Sequence, residues 1–403
     1  PRCPRSETCW SSVVSTAQNQ EASELMACEG AALLRNIEGV FYSPLQRLQR
    51  DLTVEILRQH VKDRRSNSED FPVNVVDALA GCGVRAIRYA LEIDEVSSVT
   101  ANDIDPVAVA ALRANIEASL GRYQTSTAGV SRPQGTPHFR THCSDAQLLL
   151  ASSPREFEVV ELDPCGSPSP FLANAVRAVK TGGLLLIACT DVRDLSGDRG
   201  SDGDARSFSR YGGWSGINPS ASVITSSRMP AASAFSFELA TRIVLGAVER
   251  ESRADGRKIK VLCSFTLDFF IRIVVQVCDE DDGGDCSDDA GSSSEISPQL
   301  LVWRAPPLTQ TTTAATSLGF FSTSNLGGQF HPPLTSLSAS ELRTPSLLPQ
   351  GQSNDQSDYI YQLSGPAFGG ALCDQQFLDR LVARMARECS RAGNNSILTL
   401  SGR

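Results

Sequence analysis

Apolar, β-rich runs alternate with segments of helical spacing along the chain from Phe71 to Val277. The predicted strands are Val73–Asp77, Ser98–Asn102, His138–Cys143, Glu158–Leu162 and Gly183–Thr190, with one or two more within Ile259–Val277. The predicted helices run through Ile87 and Ala90, over Pro106–Leu120 and over Ala234–Arg250. Because strands joined by helices lie side by side in parallel, this alternation predicts an α/β fold with a doubly wound, mostly parallel sheet.

The composition divides the 403 residues into four parts. Residues 1–28 are polar, and residues 29–278 hold the alternating strands and helices, with a Gly-, Ser-, Asp- and Arg-rich loop region predicted over 192–233. Residues 279–357 are first acidic and then rich in Ser, Thr and Pro, so they are predicted to be a disordered, low-complexity insertion. Order is predicted to resume in residues 358–403, with an amphipathic helix over Asp374–Ala392.

Charge and cysteine content restrict the class of protein only in part. The formal net charge is −9, but residues 279–300 contain eight acids and no base, so the rest carries about −9 + 8 = −1 and a basic groove for RNA stays possible. Twelve cysteines in a chain of this length indicate reduced thiols and an intracellular protein. The longest apolar run, Leu184 to Cys189, is too short to span a membrane, and His138, His142 and Cys143 alone predict no metal site.

A glycine loop, Asp77-Ala78-Leu79-Ala80-Gly81-Cys82-Gly83, follows the first predicted strand. Gly81 and Gly83 allow a tight turn against which the methionine part of a cofactor can lie. Asp103, twenty residues after Gly83, ends the second strand, where a carboxylate can accept hydrogen bonds from both hydroxyls of a ribose. A nicotinamide cofactor or an ordinary tight turn remains an alternative, since dinucleotide-binding loops share this geometry.

Asp163-Pro164-Cys165-Gly166 follows the fourth predicted strand. The side chain of Asp163 and a backbone carbonyl can accept hydrogen bonds from both protons of a planar amino group and so aim its lone pair at a methyl donor. The tetrapeptide therefore predicts an enzyme that methylates an exocyclic nitrogen of a nucleic acid, although an Asp-Pro turn is the simpler interpretation. Asp145, at the exit of the third strand, is predicted to contact an adenine amino group, to cap the helix that begins at Ala146, or to do both.

In their order along the chain, these motifs resemble one family, the tRNA guanine-N2 dimethyltransferases that modify position 26. The matching segments are Glu29-Gly30, Val40 to Pro44, Gln49 to Val54, Asp77 to Tyr89, Ala101 to Pro106, Leu162 to Pro168, Cys189-Thr190-Asp191, Arg210 to Gly213, Glu238–Leu245, Ser264 to Phe269 and Gly365 through Phe377. The resemblance covers most of residues 29–278 and 359–392. It implies a class I (Rossmann-like) methyltransferase domain over 29–278 and the start of a truncated C-terminal tRNA-binding α/β domain over 358–403.

The resemblance also implies the cofactor S-adenosylmethionine, the partner tRNA and a set of site residues. Arg50, Arg85, Asp103, Asp145 and Ala146 would contact the cofactor together with Asp77, Gly81 and Gly83 of the glycine loop. Asp163 would be the catalytic carboxylate with Pro164 beside it, and Phe41 would position the target base. No membrane and no obligatory protein partner are implied.

The chain departs from the family pattern in three places. Cys165 stands where the family usually has an aromatic residue, so guanine would stack on Phe171 or Tyr42 instead. The family's cysteine-rich, zinc-type element is not visible, and the C-terminal part stops early, at Arg403. Arg193, Arg199, Arg206 and Arg210 are candidate phosphate contacts. A non-catalytic RNA-binding paralogue and an amino-methyltransferase for DNA or protein remain the alternatives.

Overall fold

The computed structural model describes residues 27–35, 39–65, 72–126, 135–195, 200–212, 234–267, 270–280, 301–304, 319–320, 361–364, 368 and 371–391. The strands in these ranges are β1 (Ala27–Glu29), β2 (Ala32–Leu34), β3 (Val73–Asp77), β4 (Val96–Asp103), β5 (His138–Cys143), β6 (Phe157–Leu162), β7 (Val179–Cys189), β8 (Arg257–Leu267), β9 (Phe270–Asp279), β10 (Leu301–Arg304), β11 (Gly319–Phe320) and β12 (Tyr361–Ser364). The helices are α1 (Arg47–Arg65), α2 (Val84–Glu92), α3 (Pro106–Ser126), α4 (Ala146–Ala151), α5 (Leu172–Ala178), α6 (Val192–Leu195), α7 (Gly200–Tyr211), α8 (Ala234–Ala254) and α9 (Gln375–Arg391). Short 3-10 turns span Pro44–Gln46 and Ser169–Phe171.

Eight strands form the central sheet in the order β11-β8-β9-β7-β6-β3-β4-β5. Neighbouring strands from β7 through β5 pair in parallel, whereas β9, β8 and β11 add antiparallel strands at the other edge. The chain leaves β3 toward β4 and β5 and then returns to place β6 on the other side of β3. The predicted doubly wound, mostly parallel sheet is confirmed, and the order of its strands reverses between β3 and β6, where open α/β sheets bind their ligands.

Each face of the sheet carries its own apolar layer because successive side chains of a strand point to opposite faces. Val76 and Val160 pack with α4, α5 and α8 in one cluster. Val75 and Val159 pack with α1, α2, α3 and α9 in the other. The sheet is therefore covered on both sides, which is why β6 is buried along its whole length.

Some helices and strands lie in segments whose residues have low propensity for regular secondary structure, and the sequence did not predict them. The region 192–233 was predicted to be loop, yet its described part contains α6 and α7. Gly, Ser and Asp residues disfavour a helix there, but burial of Leu195 and Tyr211 in the core stabilises both helices. Within the segment predicted to be disordered, β10 pairs with β12 and β11 pairs with β8, while disorder of the segment as a whole stays a prediction. The remainder of 281–360 lies outside the described residues.

Helix α9, the last described helix, packs in the apolar layer that also contains α1, α2 and α3. The side chain of Asp374 caps it by accepting from the Phe377 amide at 3.0 Å, and Lys260 on β8 lies 3.1 Å from the same carboxylate. Farther along, Arg384 is buried and donates to Glu55 and Gln59 of α1. This part of the C-terminal segment therefore completes a helical layer, while the predicted domain boundary at residue 358 stays a prediction.

The redox state of the cysteines and the character of the long helices can be compared with the predictions from the sequence. Seven described cysteines carry reduced thiols, namely Cys28, Cys82, Cys143, Cys165, Cys189, Cys263 and Cys373. Cys278 is disulfide-bonded, which corrects the prediction of reduced thiols at that position. None of the described helices combines the length and the apolar character that a membrane crossing requires.

A buried ion pair ties β6 to β9 beneath the ends of the strands. Arg272 donates to both oxygens of Glu161, at 2.6 and 2.5 Å, and both side chains are fully buried. The hydroxyl of Tyr89, on α2, donates to the same carboxylate at 2.7 Å. Because each charge has been taken out of water, neither partner can be lost without leaving the other uncompensated.

Replacement of Arg272 by Met is predicted to destabilise the fold by about 3–5 kcal/mol, because it leaves Glu161 buried without its main counter-charge. The double variant Glu161→Leu/Arg272→Met should recover at least about half of that loss, because it removes both charges together. Urea unfolding of the wild type, both single variants and the double variant measures these differences. Additive losses in the double variant would contradict the prediction.

Candidate active site

The predicted glycine loop turns sharply at the carboxyl end of β3. Gly81 and Gly83 have φ values of 53° and 84°, in the left-handed region that favours glycine. A Cβ at Gly83 would stand 2.3 Å from the Cδ1 atom of Leu112 on α3, so a side chain there would collide with the neighbouring helix. The loop also hydrogen-bonds to β4, since the Ala80 amide donates to the carbonyl of Asn102 at 2.7 Å.

Asp103 lies beside this loop, at the end of β4. Its Oδ2 atom accepts from the Gly81 amide at 2.9 Å, and its Oδ1 atom accepts from the Asp105 amide at 2.9 Å. These two backbone donors fix the plane of the carboxylate against the glycine loop. Because an ionised carboxylate offers about four lone-pair sites, it retains acceptors for a pair of hydroxyls.

The side chain of Asn102, which no motif singled out, joins the loops after β3 and β5. Its amide nitrogen donates to the carbonyls of Ala78 and Ser144, each at 3.0 Å, and its oxygen accepts from the amide and hydroxyl of Ser144. Asn102 is fully buried. In the sequence, Asn102 stands out only as an Asn within an apolar strand. Its contacts with the loops of the site become apparent only in the fold.

Asp145 and Ala146 follow at the exit of β5. The side chain of Asp145 accepts from the Gln147 amide at 2.8 Å, so the predicted helix cap is confirmed. Ala146 is buried at the start of α4. The contact of both residues with a cofactor stays a prediction.

The predicted catalytic carboxylate forms an ion pair with a predicted cofactor ligand. Two nitrogens of Arg85, Nε and Nη2, lie 2.8 and 2.6 Å from the Oδ2 atom of Asp163. Arg85 is buried in α2, and its Nη2 atom also donates to Gln49 on α1 at 2.7 Å. The guanidinium therefore fixes Asp163 at the carboxyl end of β6, beside the switch point of the sheet.

Arg85 and two other buried side chains, Gln49 and Asp77, have polar atoms without a hydrogen-bond partner. They are the Nε2 atom of Gln49, the Nη1 atom of Arg85 and both carboxyl oxygens of Asp77. Gln49 cannot be turned around, because its oxygen must face the donor Arg85. Unsatisfied buried polar groups are costly, so two donors and a carboxyl group left this way indicate a place for a polar ligand. They match an amino-acid end group, with the donors for its carboxylate and Asp77 for its ammonium.

The surroundings of Asp77 favour its protonated, neutral form. Burial, and then the charge of Glu161, raises the pKa of the Asp77 carboxyl to about 8. Near pH 7 the carboxyl is therefore mostly neutral in the absence of a cation. Gln49, which begins one of the family-like segments but was not predicted to contact the cofactor, completes this set.

Arg50 is buried next to these groups but has protein partners of its own. It donates from Nε and Nη2 to the two oxygens of Glu29, each at 2.6 Å, and its guanidinium stacks 5.4 Å from the ring centre of Tyr42. Burial pushes the pKa of Glu29 upward, but hydrogen bonds and charges from Arg50 and Arg88 outweigh it and lower the pKa. The hairpin of β1 and β2 thereby positions Arg50 through a charged carboxylate.

The residues predicted to contact the base differ in exposure. The side chain of Phe41 is 52% exposed, and its carbonyl oxygen lies 3.9 Å from the place where a Cβ on Gly81 would stand. Pro164 is buried and Cys165 is exposed. The two proposed substitutes for the missing aromatic have other contacts, since Tyr42 donates to Glu29 and Phe171 packs against the core. Phe41 is thus the most accessible of the aromatic side chains predicted for this role.

Two of the arginines predicted to contact phosphate pair with acids instead. Arg210 lies 3.1 Å from Asp191 and 3.0 Å from Asp194, and Arg206 lies 3.2 Å from Asp194. The side chains of Arg193 and Arg199 lie outside the described part of the chain. Within that part, His, Cys, Asp and Glu side chains form no group of three or more that could hold a metal.

The chain is similar to a family model, to several curated proteins and to solved structures. The model described as "TRM: N2,N2-dimethylguanosine tRNA methyltransferase" matches residues 19–400. A Mus musculus tRNA (guanine(26)-N(2))-dimethyltransferase is 30% identical over 314 residues, covering 77% of this chain and 39% of that protein. A Schizosaccharomyces pombe protein of the same name is 27% identical over an alignment of 422 residues, covering 92% of this chain and 66% of that protein.

The solved structure is that of Trm1 from Pyrococcus horikoshii in complex with S-adenosyl-L-methionine. It aligns with a TM-score of 0.57 and 22% identity over 90% of this chain and 78% of that one, a likeness of fold. The chain spans between 39% and 66% of the length of the two curated relatives.

Replacement of Asp77 by Asn is predicted to flatten the pH dependence of folding stability. The pKa of this carboxyl is about 8 in the folded protein, against an ordinary value of 3.8 for an Asp side chain. Its contribution is therefore fully present below about pH 4 and is lost as the pH rises through about 8, by at most about 1.4 kcal/mol per pH unit.

Urea unfolding of the wild type and Asp77→Asn between about pH 5 and pH 9 tests this expectation. The stability of the wild type relative to the variant should decrease up to about pH 8 and then level off. Buried His60, whose pKa is lowered to about 3 by burial, contributes in the opposite direction, and its effect cancels in the comparison. A constant difference from about pH 5 to pH 8 would contradict the assignment.

Proposed function

The chain belongs to the N2,N2-dimethylguanosine tRNA methyltransferase family, and we propose that it transfers methyl groups from S-adenosylmethionine to the exocyclic N2 of a guanine in tRNA. By likeness to relatives named for guanine 26, that guanine is at position 26 of the tRNA. One site can carry out both methylations, because the monomethylated amine still has one proton to lose. The products are N2-methylguanosine and N2,N2-dimethylguanosine.

The observation that carries the proposal is the Arg85–Asp163 ion pair beside the unpartnered atoms of Gln49, Asp77 and Arg85. The donors of Gln49 and Arg85 fit the carboxylate of the methionine moiety, and Asp77 fits its ammonium. Asp103 fits the ribose, and Asp145 with Ala146 lies where an adenine would be read. When bound, S-adenosylmethionine supplies a methyl group on a positively charged sulfur.

The reaction needs an amino group whose lone pair points at that methyl. The carboxylate of Asp163 accepts a hydrogen bond from one N–H, and the carbonyl of Pro164 accepts from the other. As the new N–CH3 bond forms and the S–CH3 bond breaks, Asp163 receives the proton that the nitrogen loses and passes it to solvent. Arg85 holds the carboxylate in place without blocking its second oxygen, since both contacts go to Oδ2.

The target base must leave the tRNA stack to reach Asp163, and an aromatic surface stabilises a base in that position. Phe41 is the accessible aromatic beside the glycine loop. We propose that it takes this role because Cys165 provides no ring. A tRNA substrate and mostly reduced thiols favour an intracellular site of action.

A non-catalytic RNA-binding paralogue would retain the fold without needing the unpartnered donors and the paired carboxylate. A methyltransferase for DNA or protein would retain the cofactor residues but accept a different amino group. Incubation with labelled cofactor and with unmodified tRNA, DNA or a peptide separates the three, with transfer expected only to tRNA. Nucleoside mass analysis identifies the product.

Replacement of Asp163 by Ala is predicted to lower turnover by about 100-fold or more while leaving the affinity for S-adenosylmethionine nearly unchanged, because the carboxylate acts on the amino group and its proton. Single-turnover methylation of tRNA and calorimetric titration of the cofactor measure the two effects. Asp94→Ala is the matched control, since Asp94 is exposed and precedes β4 at the opposite end of the strands. An equal loss of turnover and cofactor binding would make Asp163 a structural residue.

Replacement of Cys165 by Phe is predicted to lower the KM for tRNA by about 5- to 10-fold, because a second ring would add to the stacking on Phe41 and each base–aromatic stack contributes about 1–3 kcal/mol. Cys165→Ala, which removes the thiol without adding a ring, should leave the KM unchanged. If the Phe variant behaves like the Ala variant, the guanine gains no stacking from position 165. Phe41→Ala should raise the KM for tRNA, because Phe41 is the exposed ring proposed to hold the guanine.

A further inference from the structure

We propose that Tyr211, Asp191 and Ser167 form a positioning chain that holds the turn carrying Asp163 in its reactive geometry. The inference rests on the proposed function, because it concerns the residue that would act on the amino group. None of the three side chains belongs to the set assigned to the cofactor or the base. They lie on the other side of the turn, between the ends of β6 and β7 and the C-terminal end of α7.

The chain begins inside the turn. The hydroxyl of Ser167 accepts from the Ser169 amide at 3.2 Å and lies 2.6 Å from the Tyr211 hydroxyl. Tyr211 in turn lies 2.9 Å from both carboxyl oxygens of Asp191. Because an ionised carboxylate can only accept, Tyr211 donates to Asp191 and receives the proton of Ser167. All donors therefore point the same way, from the Ser169 amide to Asp191.

The environment keeps the chain in this protonation state. Tyr211 is fully buried. Burial, and then the neighbouring Cys189 and Asp191, raises the pKa of its phenol far above the usual value, so it remains a donor throughout the range in which an enzyme can be assayed. Arg210 lies 3.1 Å from Asp191 and supplies the counter-charge. A buried phenol with a satisfied donor and acceptor has one orientation.

The far end of the chain is attached to the framework. Arg250, on α8, donates to the carbonyl of Tyr211. The Thr190 amide, next to Asp191, donates to the carbonyl of Gly166 at 3.0 Å. Gly166 has a φ of 118°. A turn in that conformation has little stiffness of its own. The backbone hydrogen bond from Thr190 and the side-chain contacts of Ser167, Tyr211 and Asp191 therefore together restrict the position of the Asp163–Gly166 turn.

The expected consequence is specific to the chemical step. The proposed cofactor residues lie on α1, β3 and the loop after it, α2, β4 and the start of α4, whereas this chain holds only the turn after β6. Small displacements of a catalytic group reduce rates steeply, by up to about 100-fold for about 1 Å. Loss of the Tyr211 hydroxyl should therefore lower kcat and leave cofactor binding unchanged.

The test compares Tyr211→Phe, Ser167→Ala and the double variant with the wild type in the full chain. Each single variant should lower kcat for tRNA methylation by about 10-fold with an unchanged Kd for S-adenosylmethionine. The double variant should be no slower than about the worse single variant, because both break the same chain. Thr125→Ala, which removes an exposed hydroxyl that donates to carbonyls of its own helix α3, is the matched control and should behave like the wild type.

Amide hydrogen exchange followed by mass spectrometry gives a readout that does not need activity. Peptides covering residues 163–171 should exchange at least about 5-fold faster in Tyr211→Phe and Ser167→Ala, with no change in peptides from β3 and β4. If the wild type transfers no methyl group, the proposed function fails, and the exchange data still decide the positioning chain. Equal kcat values in active enzymes, or unchanged exchange over 163–171, would overturn the inference.

Discussion

The guanidinium of Arg85 is the group on which the arrangement of the site depends. It is buried on α2, contacts Asp163 at 2.6 Å, donates to Gln49 at 2.7 Å and lies 3.9 Å from Glu161. Through Glu161 it belongs to the same network as Arg272 and Tyr89. The proposed catalytic carboxylate is thereby connected to the buried ion pair that joins β6 and β9, and its position follows from the packing of α2 on the sheet.

The charges of this network balance only if Asp77 is neutral. Arg85 and Arg272 provide two positive charges, and Glu161 and Asp163 provide two negative ones. A third carboxylate would add an uncompensated buried charge, and the pKa of Asp77 is accordingly raised to about 8. A bound cation would supply the missing charge, so the surroundings that keep the Asp77 carboxyl neutral in the empty site also prepare it for a positively charged ligand.

Particular residues show how far sequence patterns reach. The glycine loop, Asp103 and the cap at Asp145 lie in single strand–loop units, where motif and local geometry coincide, and the structure places them as the patterns predict. Helix α7 was missed because its Gly, Ser and Asp residues favour a loop, whereas the burial of Tyr211 and the ion pairs of Arg206 and Arg210, which stabilise it, are tertiary contacts. Arg206 and Arg210 suggested phosphate contacts by charge alone, yet Asp191 and Asp194 are their partners.

The sequence by itself determined the alternation of strands and helices, the glycine loop and the presence of Asp163 after a buried strand, because these features repeat over a few residues. The tertiary structure alone decided which groups meet. Arg85 and Asp163 are 78 residues apart, and Ser167 and Tyr211 are 44 apart. Such pairs leave no periodic trace in the chain. They form because the sheet reverses its order between β3 and β6 and brings the ends of separate strands to one place.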